Sequence, residues 1–123
     1  MPQYDYIRTI DEMEADDRLK CIIDVRGEED FKRETYEGAM HIYWEEFREH
    51  RDELPKDRPI YLICYSGQQS DSIAQDYVEE GYEIYSIKGG YGSIIRRQMK
   101  ELLEQQENGQ DIAKDVERSI VKK

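Results

Sequence analysis

Basic residues and long apolar runs are scarce in this sequence. Lysine and arginine number 18 against 29 aspartates and glutamates, which gives a formal net charge of −11. Such an acidic chain argues against nucleic acid and against an anionic membrane surface as partners, because both would be repelled. No apolar run approaches the length that crosses a bilayer, and residues 1–12 lack the basic start and apolar core of a signal peptide. We therefore expect a cytoplasmic protein.

Cysteine is also scarce, with only two copies. Cys21 begins one apolar run and Cys64 ends another, so in neighbouring parallel strands the two sulfurs lie near opposite ends of the sheet. An offset of three residues at about 3.3 Å per residue separates them by roughly 10 Å, beyond disulfide reach. We interpret Cys21 as a buried structural thiol and Cys64 as the functional one. No Cys/His set has the spacing of metal ligands, and we expect no metal and no cofactor.

The most informative stretch present is residues 59–81, which are centred on Cys64. The apolar run 60–63 predicts a strand buried on both faces, and apolar residues at helical spacing predict a helix that stops at Gly81. Between them, a cysteine followed by a tight glycine-containing loop faces several backbone N–H groups. These amides and the helix dipole favour negative charge, so the loop can stabilise a thiolate or bind an oxyanion. The alternative is a buried structural cysteine that ends a strand.

Strand-like and helix-like segments alternate along the chain of 123 residues, which is the length of a single domain. We predict strands at 4–7, 19–25, 60–63 and 82–87, with a brief extended piece near 40–42. We predict helices at 10–15 (capped by Thr9 with Glu12), 28–33, 44–51 and 91–103. This alternation indicates an α/β fold, with a mostly parallel central sheet and helices on both faces. Asp24, Arg26, Cys64 and the turn at 88–90 then share the carboxyl edge of the sheet, where ligands bind.

The end of the chain is predicted to be separate from this domain. We place the domain at residues 1–104 and a C-terminal helical extension at 105–123, after the polar break that begins at Gln105. Ile112, Ala113, Val116 and Ile120 recur at helical spacing in this extension. An extra helix packed on the domain or on a partner is expected, with a solvated tail as the alternative. The chain can accordingly be a monomer or a homodimer.

Five motifs in order resemble the rhodanese family, specifically a single-domain rhodanese. They run from about Tyr4 to Met99, and each is weak by itself, whereas the ordered set is strong. The resemblance implies a sulfurtransferase in which Cys64 accepts a sulfane sulfur as a persulfide and passes it to a thiophilic acceptor. The motifs are Ile22-Ile23-Asp24-Val25-Arg26, Glu29-Asp30-Phe31, Glu37-Gly38-Ala39-Met40-His41-Ile42, Cys64-Tyr65-Ser66-Gly67-Gln68-Gln69-Ser70 and Ile87-Lys88-Gly89-Gly90.

The resemblance also implies the site residues. Cys64 is the expected catalytic residue, and the persulfide would lie in the cup formed by residues 65–70. Arg26 has two readings: it receives an anionic donor, or it pairs with a nearby carboxylate, which we favour. The donor would be thiosulfate or a persulfide, and the acceptor a small molecule or a protein. The expected substrate-binding residues are Tyr65, Ser66, Gly67, Gln68, Gln69, Ser70 and Arg26.

Several departures from the family pattern bear on activity. Gln69 stands where the family often carries arginine or lysine, and Thr35 and Glu37 stand where histidine and proline are common. The tryptophan that commonly follows the Gly-Gly turn is absent, and residues 105–123 lie outside the resemblance. The runner-up function is therefore a catalytically weak rhodanese-like module that binds a partner or senses sulfane sulfur.

Two other uses of such a loop are disfavoured. Cysteine phosphatases place an arginine six residues after the nucleophile to bind phosphate, and that position here is Ser70. Arsenate reduction needs a second cysteine to resolve the intermediate, and Cys21 is not placed for it.

Overall fold

The computed structural model describes residues 6–108 as five strands, four α-helices and one 3₁₀ segment. The strands are β1 Ile7–Arg8, β2 Cys21–Asp24, β3 Met40–His41, β4 Ile60–Ile63 and β5 Ile84–Ile87. The helices are α1 Ile10–Ala15, α2 Glu28–Arg33, α3 Gln68–Glu79 and α4 Gly90–Asn108, and the 3₁₀ segment is Trp44–Glu53.

All five strands are parallel, in the order β1-β5-β4-β2-β3. The predicted α/β fold with a parallel sheet is therefore confirmed. β4 is central, and its residues alternate between two apolar clusters, one on each face of the sheet. Ile60 and Leu62 face the cluster that includes Phe47 and Tyr77, whereas Tyr61 and Ile63 face the cluster of α1 and α4. Because both faces are covered, every residue of β4 is buried.

The start of α1 has the predicted capping box. Glu12 N–H donates to Thr9 Oγ1 at 3.0 Å, and Thr9 N–H donates to Glu12 Oε1 at 2.8 Å. Two backbone donors that the helix cannot satisfy internally are thus paired. The prediction for this helix is confirmed in type and in bounds.

Residues 44–53 form a 3₁₀ segment where an α-helix over 44–51 was predicted. Trp44, Phe47 and His50 are three residues apart, and side chains at this spacing line up on one face of a 3₁₀ helix. Of the three, only Phe47 is buried, at 2% exposure. The segment therefore attaches to the core through one aromatic ring, which meets Tyr77 edge-on at 5.2 Å between ring centroids.

One expectation about burial was wrong. Cys21 was expected to be buried but is only half-buried; it starts β2, and its Sγ lies 3.9 Å from Met40 Sδ. Burial still raises the pKa of this thiol. On α4, Tyr91 and Ile94 are buried, whereas four further apolar residues are exposed. These are Ile95 at 44%, Met99 at 53%, Leu102 at 55% and Leu103 at 57%.

The helix α4 continues to Asn108, through the predicted polar break at Gln105. The predicted helix around residues 112–120 lies outside the described residues, as does the first half of the predicted strand 4–7. The domain boundary after residue 104 stays a prediction. Within residues 6–108, no helix is long and apolar enough to cross a membrane.

Candidate active site

The Cys64 sulfur lies at the carboxyl end of β4, at the base of a tight loop. Cys64 is 1% exposed. Gly67 N–H donates to Cys64 Sγ at 2.9 Å. Gly67 reaches this position with φ +110°, a left-handed conformation that side-chain-bearing residues rarely adopt. The loop thus needs a glycine here in order to aim its amide at the sulfur.

Ser70 completes the immediate surroundings of the sulfur. The N-cap of α3 is Gly67, so Ser70 lies in the first helical turn. Its Oγ is fully buried, 3.3 Å from Cys64 Sγ and 3.2 Å from Gly67 O. Both partners of the sulfur are uncharged groups that can donate hydrogen bonds to a thiolate.

A further hydroxyl and a carboxylate extend this arrangement beneath the loop. Ser70 Oγ lies 2.7 Å from Ser86 Oγ, and Ser86 donates a short hydrogen bond to Asp71 Oδ1. Ser86 is fully buried in β5, whereas Asp71 is only half-buried. The four side chains therefore form a continuous chain of contacts from Cys64 to the surface.

The Gly-Gly turn after β5 supports the loop from behind. Tyr91 N–H donates to the Cys64 carbonyl at 2.7 Å. Gly90 has φ +59°, and a Cβ at this residue would lie 2.5 Å from Cys64 O and 2.7 Å from Ser66 N. Glycine is therefore required at this position both by the conformation and by the close approach of two backbone segments.

Arg26 is held by Asp24 at the next strand end. Its Nε lies 3.1 Å from both Asp24 Oδ1 and Asp24 Oδ2. Its Nη2 donates to Asp24 Oδ2 at 2.9 Å and to the Glu34 carbonyl at 2.6 Å. Its guanidinium carbon lies 3.9 Å from the centre of the Tyr91 ring. Although burial disfavours its charge, the hydrogen bond and charge of Asp24 raise the pKa of Arg26. Arg26 thus pairs with a nearby carboxylate, which is the alternative that the sequence analysis favoured.

Asp24 also accepts hydrogen bonds from groups other than the Arg26 guanidinium. Its carboxylate accepts hydrogen bonds from the backbone N–H of Arg26 at 2.9 Å and from the Thr35 hydroxyl at 2.7 Å. His41 Nε2 lies 2.6 Å from Arg26 O, and its ring stacks on Phe31 at 4.8 Å. This polar cluster braces the strand ends beside the loop.

The other predicted loop residues face outward. Tyr65 is 47% exposed and donates its hydroxyl to the Asp30 carboxylate, and this hydrogen bond raises the pKa of Tyr65. Ser66 and Gln68 are exposed, and Gln69 is half-buried. The structure therefore brings Cys64, Gly67 and Ser70 together, while Tyr65 is hydrogen-bonded to Asp30 of α2.

A groove of about 540 Å³ opens beside the loop. Ser66 and Asp71 line it, and Lys88 supplies an exposed cation at the turn after β5. Glu12 of α1 also faces the groove. Within residues 6–108, no group of three His, Cys, Asp or Glu side chains is placed to hold a metal ion.

Sequence reasoning missed Ser86 and the part that Asp71 plays with it. The available signal was a single serine in the otherwise apolar run Ile84–Ile87, since a polar group in a buried strand needs a partner. Lys88 was predicted as part of the turn, without a role for its charge.

Comparison with known proteins decides the family. The sequence pattern of the Rhodanese-like domain matches residues 8–97. The chain belongs to the rhodanese-like domain family. A relative named thiosulfate sulfurtransferase GlpE, from Coxiella burnetii, is 35% identical over 71 residues, which are 57% of this chain and 66% of that protein. This chain thus spans slightly less than two thirds of the length of that relative.

Other members of the rhodanese-like family have different sizes. The thiosulfate sulfurtransferase GlpE of Glaesserella parasuis is 33% identical over 63% of this chain and 73% of its own length. A tRNA sulfurtransferase from Desulfurococcus amylolyticus is 35% identical over 69% of this chain, but this is only 16% of that protein. The solved structure of a rhodanese-related protein from Thermoplasma volcanium has a TM-score of 0.66 at 21% identity, covering 74% of this chain and 91% of that one. At this identity the structural likeness shows the fold.

Proposed function

We propose that this protein is a sulfurtransferase that carries sulfane sulfur on Cys64. The Cys64 thiolate attacks the sulfane sulfur of a donor and forms an S–S bond, while the rest of the donor leaves with the electron pair of the broken bond. A nucleophilic acceptor then attacks the outer sulfur and releases the Cys64 thiolate.

The observation that carries this proposal is the hydrogen bond from Gly67 N–H to Cys64 Sγ at 2.9 Å. An amide aimed at a sulfur stabilises negative charge there, and the thiolate is the nucleophilic form of cysteine. The bound sulfur would extend from Cys64 into the cup of residues 65–70. The first-turn amides of α3 have no partner inside the helix, so they are suited to bind the charged terminal sulfur.

The donor class follows from the site and from the relatives. Thiosulfate is supported by the name that two of the relatives carry, and a small persulfide presents the same sulfane sulfur. Lys88 is an exposed cation that lines the same groove as Ser66, and we assign it the attraction of an anionic donor in this acidic protein. Because Asp24 already holds Arg26, we assign Arg26 an indirect role, through Tyr91 and the loop.

Intact-mass measurement after incubation with thiosulfate, with and without reductant, tests the sulfur-carrier role. We expect a gain of one sulfur that reductant removes, in the wild type and in Cys21→Ser. The matched variant Cys64→Ser should show no gain. Retention of the adduct in Cys64→Ser, or its loss in Cys21→Ser, would contradict the assignment of Cys64.

The second candidate is a module that loads sulfur but turns over slowly. The neutral Gln69 favours it, since the family often carries a cation at that position. A thiocyanate assay with cyanide as acceptor separates the two functions. Loading of Cys64 together with steady thiocyanate formation supports the enzyme, whereas loading without turnover supports a binding or sensing module.

A further inference from the structure

The side chains beneath the active loop form a line of four polar atoms. The line runs from Cys64 Sγ through Ser70 Oγ and Ser86 Oγ to Asp71 Oδ1, with separations of 3.3 Å and 2.7 Å for the first two links. Cys64 is 1% exposed, and both serines are fully buried. Asp71, at the far end, lies on the groove shared with Lys88.

Counting hydrogens along this line shows what the contacts require. Three links between polar atoms need three hydrogens, and the two serine hydroxyls supply two of them. The third must come from one end, either from a Cys64 thiol or from a protonated Asp71 carboxyl. If both ends are ionised, one link has no hydrogen, and its two acceptors repel each other.

The direction of the hydrogens follows from Asp71. An ionised carboxylate only accepts hydrogen bonds, so Ser86 donates to it and accepts in turn from Ser70. Ser70 then presents a lone pair to Cys64, which keeps its own hydrogen as a thiol. Ser70 could instead donate to Gly67 O at 3.2 Å, but that would leave the 2.7 Å contact between the serine oxygens without a hydrogen.

We propose that Asp71 is a positioning residue that shares one proton with Cys64 through Ser70 and Ser86. When the Cys64 proton moves to Ser70, the Ser70 proton to Ser86 and the Ser86 proton to Asp71, every link reverses and none is lost. The products are a Cys64 thiolate, which accepts from Gly67 N–H and Ser70, and a neutral Asp71 carboxyl. No charge is created overall, because the proton that leaves Cys64 stays within the line, on Asp71.

This inference rests on the proposed role of Cys64 and deepens it. An ionised Asp71 keeps the resting cysteine as a thiol, and the proton reaches Asp71 along the two buried serine hydroxyls. Among the described residues, the charged side chains that line the groove with Asp71 are Glu12 of α1 and Lys88 after β5, and Arg96 of α4 lies beside Gly89 of the same groove. They are present in every variant below, so their effects cancel in the comparison.

The test measures the rate of Cys64 alkylation by iodoacetamide as a function of pH, in the Cys21→Ser background. Asp71→Asn removes the charge and offers an amide N–H to Ser86, which lets both serines donate toward the sulfur. We expect the midpoint of the rate profile to move to lower pH by about one unit, a tenfold gain in thiolate at a pH below the midpoint. Asp76→Asn, an exposed position on the same helix, is the matched control and should leave the midpoint in place.

The decisive comparison repeats Asp71→Asn in a Ser86→Ala background, where the line is cut. The shift should then fall to less than about a third of a unit, because only through-space interaction remains. Ser70→Ala cuts the line at its other hydroxyl and gives the same comparison if Ser86→Ala does not fold. An equal shift in intact and cut backgrounds, a shift to higher pH, or no shift would overturn the proposal. Alkylation needs no sulfur donor, so this outcome is independent of whether Cys64 loads sulfur.

Discussion

At the scale of single residues, the hydrogen-bond partners that residues 6–108 offer to the sulfur of Cys64 are uncharged. Gly67 N–H and the Ser70 hydroxyl contact it, and Gln69 brings no charge to the first turn of α3. Arg26 is held by Asp24 and stacked on Tyr91. Under the proposed function, an anionic donor would therefore be attracted by backbone amides and by Lys88, in a protein of net charge −11.

A cation at position 69 is expected to improve the use of thiosulfate. Two unit charges about 4 Å apart at an effective dielectric of about 20 attract by roughly 4 kcal/mol, most of which desolvation and flexibility cancel. Gln69→Arg should raise kcat/KM for thiosulfate several-fold, a net effect of about 1 kcal/mol, and the gain should shrink as salt is added. Steady-state kinetics over an ionic-strength series measures the effect.

The neutral variant Gln69→Met keeps a side chain of similar length and should show no salt-dependent gain. If Gln69→Arg turns over thiosulfate no faster than the wild type at low salt, the backbone amides already suffice for binding the anion.

At the scale of elements, the active loop is shaped by its contact with the start of α4. The Gly-Gly turn after β5 brings Gly90 against the backbone of residues 64–66, and Tyr91 N–H fixes the Cys64 carbonyl. The loop between β4 and α3 is thus held by the element that follows the next strand. A substitution in this turn should therefore change the position of the Cys64 sulfur, although the turn itself does not contact that sulfur.

Gly90→Ala is expected to displace the loop, because its Cβ would lie 2.5 Å from the Cys64 carbonyl oxygen. Overpacking against backbone, together with the positive φ, should cost about 1 to 3 kcal/mol in the free energy of unfolding. Sulfur loading of Cys64 should fall as well. Urea unfolding and the loading rate measure the two effects.

Gly92→Ala is the matched control two residues later in the same helix. Its Cβ would meet only the end of the Arg96 side chain, at 3.5 Å. Alanine is the better helix former, so this variant should be as stable as the wild type or more stable. Equal behaviour of the two variants would mean that the close approach at Gly90 does not shape the loop.

At the scale of the whole molecule, Asp16 joins parts of the chain that are far apart in sequence. Its carboxylate accepts the Tyr61 hydroxyl of β4 at 2.7 Å and two Arg18 nitrogens at 2.9 Å each. Arg18 in turn pairs with Glu83, just before β5, at 2.8 Å. The end of α1 is thus tied to two central strands, and the hydrogen bonds from Arg18 and then Tyr61 hold the pKa of Asp16 well below its usual value.

Asp16→Asn is therefore expected to destabilise the protein in a pH-dependent way. Because folding lowers the pKa of Asp16, its ionised form stabilises the fold above the unfolded value of about 3.9, and this stability is lost as pH falls. The variant should lose about 1 to 3 kcal/mol at neutral pH, and the difference from wild type should narrow below about pH 4. Urea unfolding at neutral and acidic pH measures it.

Asp17→Asn makes the same change of charge at the exposed neighbouring position and should cost little at either pH. A cost for Asp16→Asn that is the same at neutral and acidic pH would show that shape, rather than charge, decides the role of this side chain.

Local patterns in the sequence were sufficient to predict the strands, most of the helices and the place of Cys64. The apolar run Ile60–Ile63 and the helical spacing after it have periods that any few neighbouring residues reveal. The capping box at Thr9 is equally local, and it was predicted to the residue. The family resemblance rested on the same kind of short, ordered motifs.

Only the tertiary structure decided which side chains meet. Ser86 and Asp71 are 15 residues apart and come together because β5 lies beside β4 in the sheet. The same packing buries Tyr91 and Ile94 of α4 but leaves Met99 exposed, although all three share one helical pattern. Periodicity tells how each element is built, whereas contacts between elements depend on the strand order, which no short stretch of sequence contains.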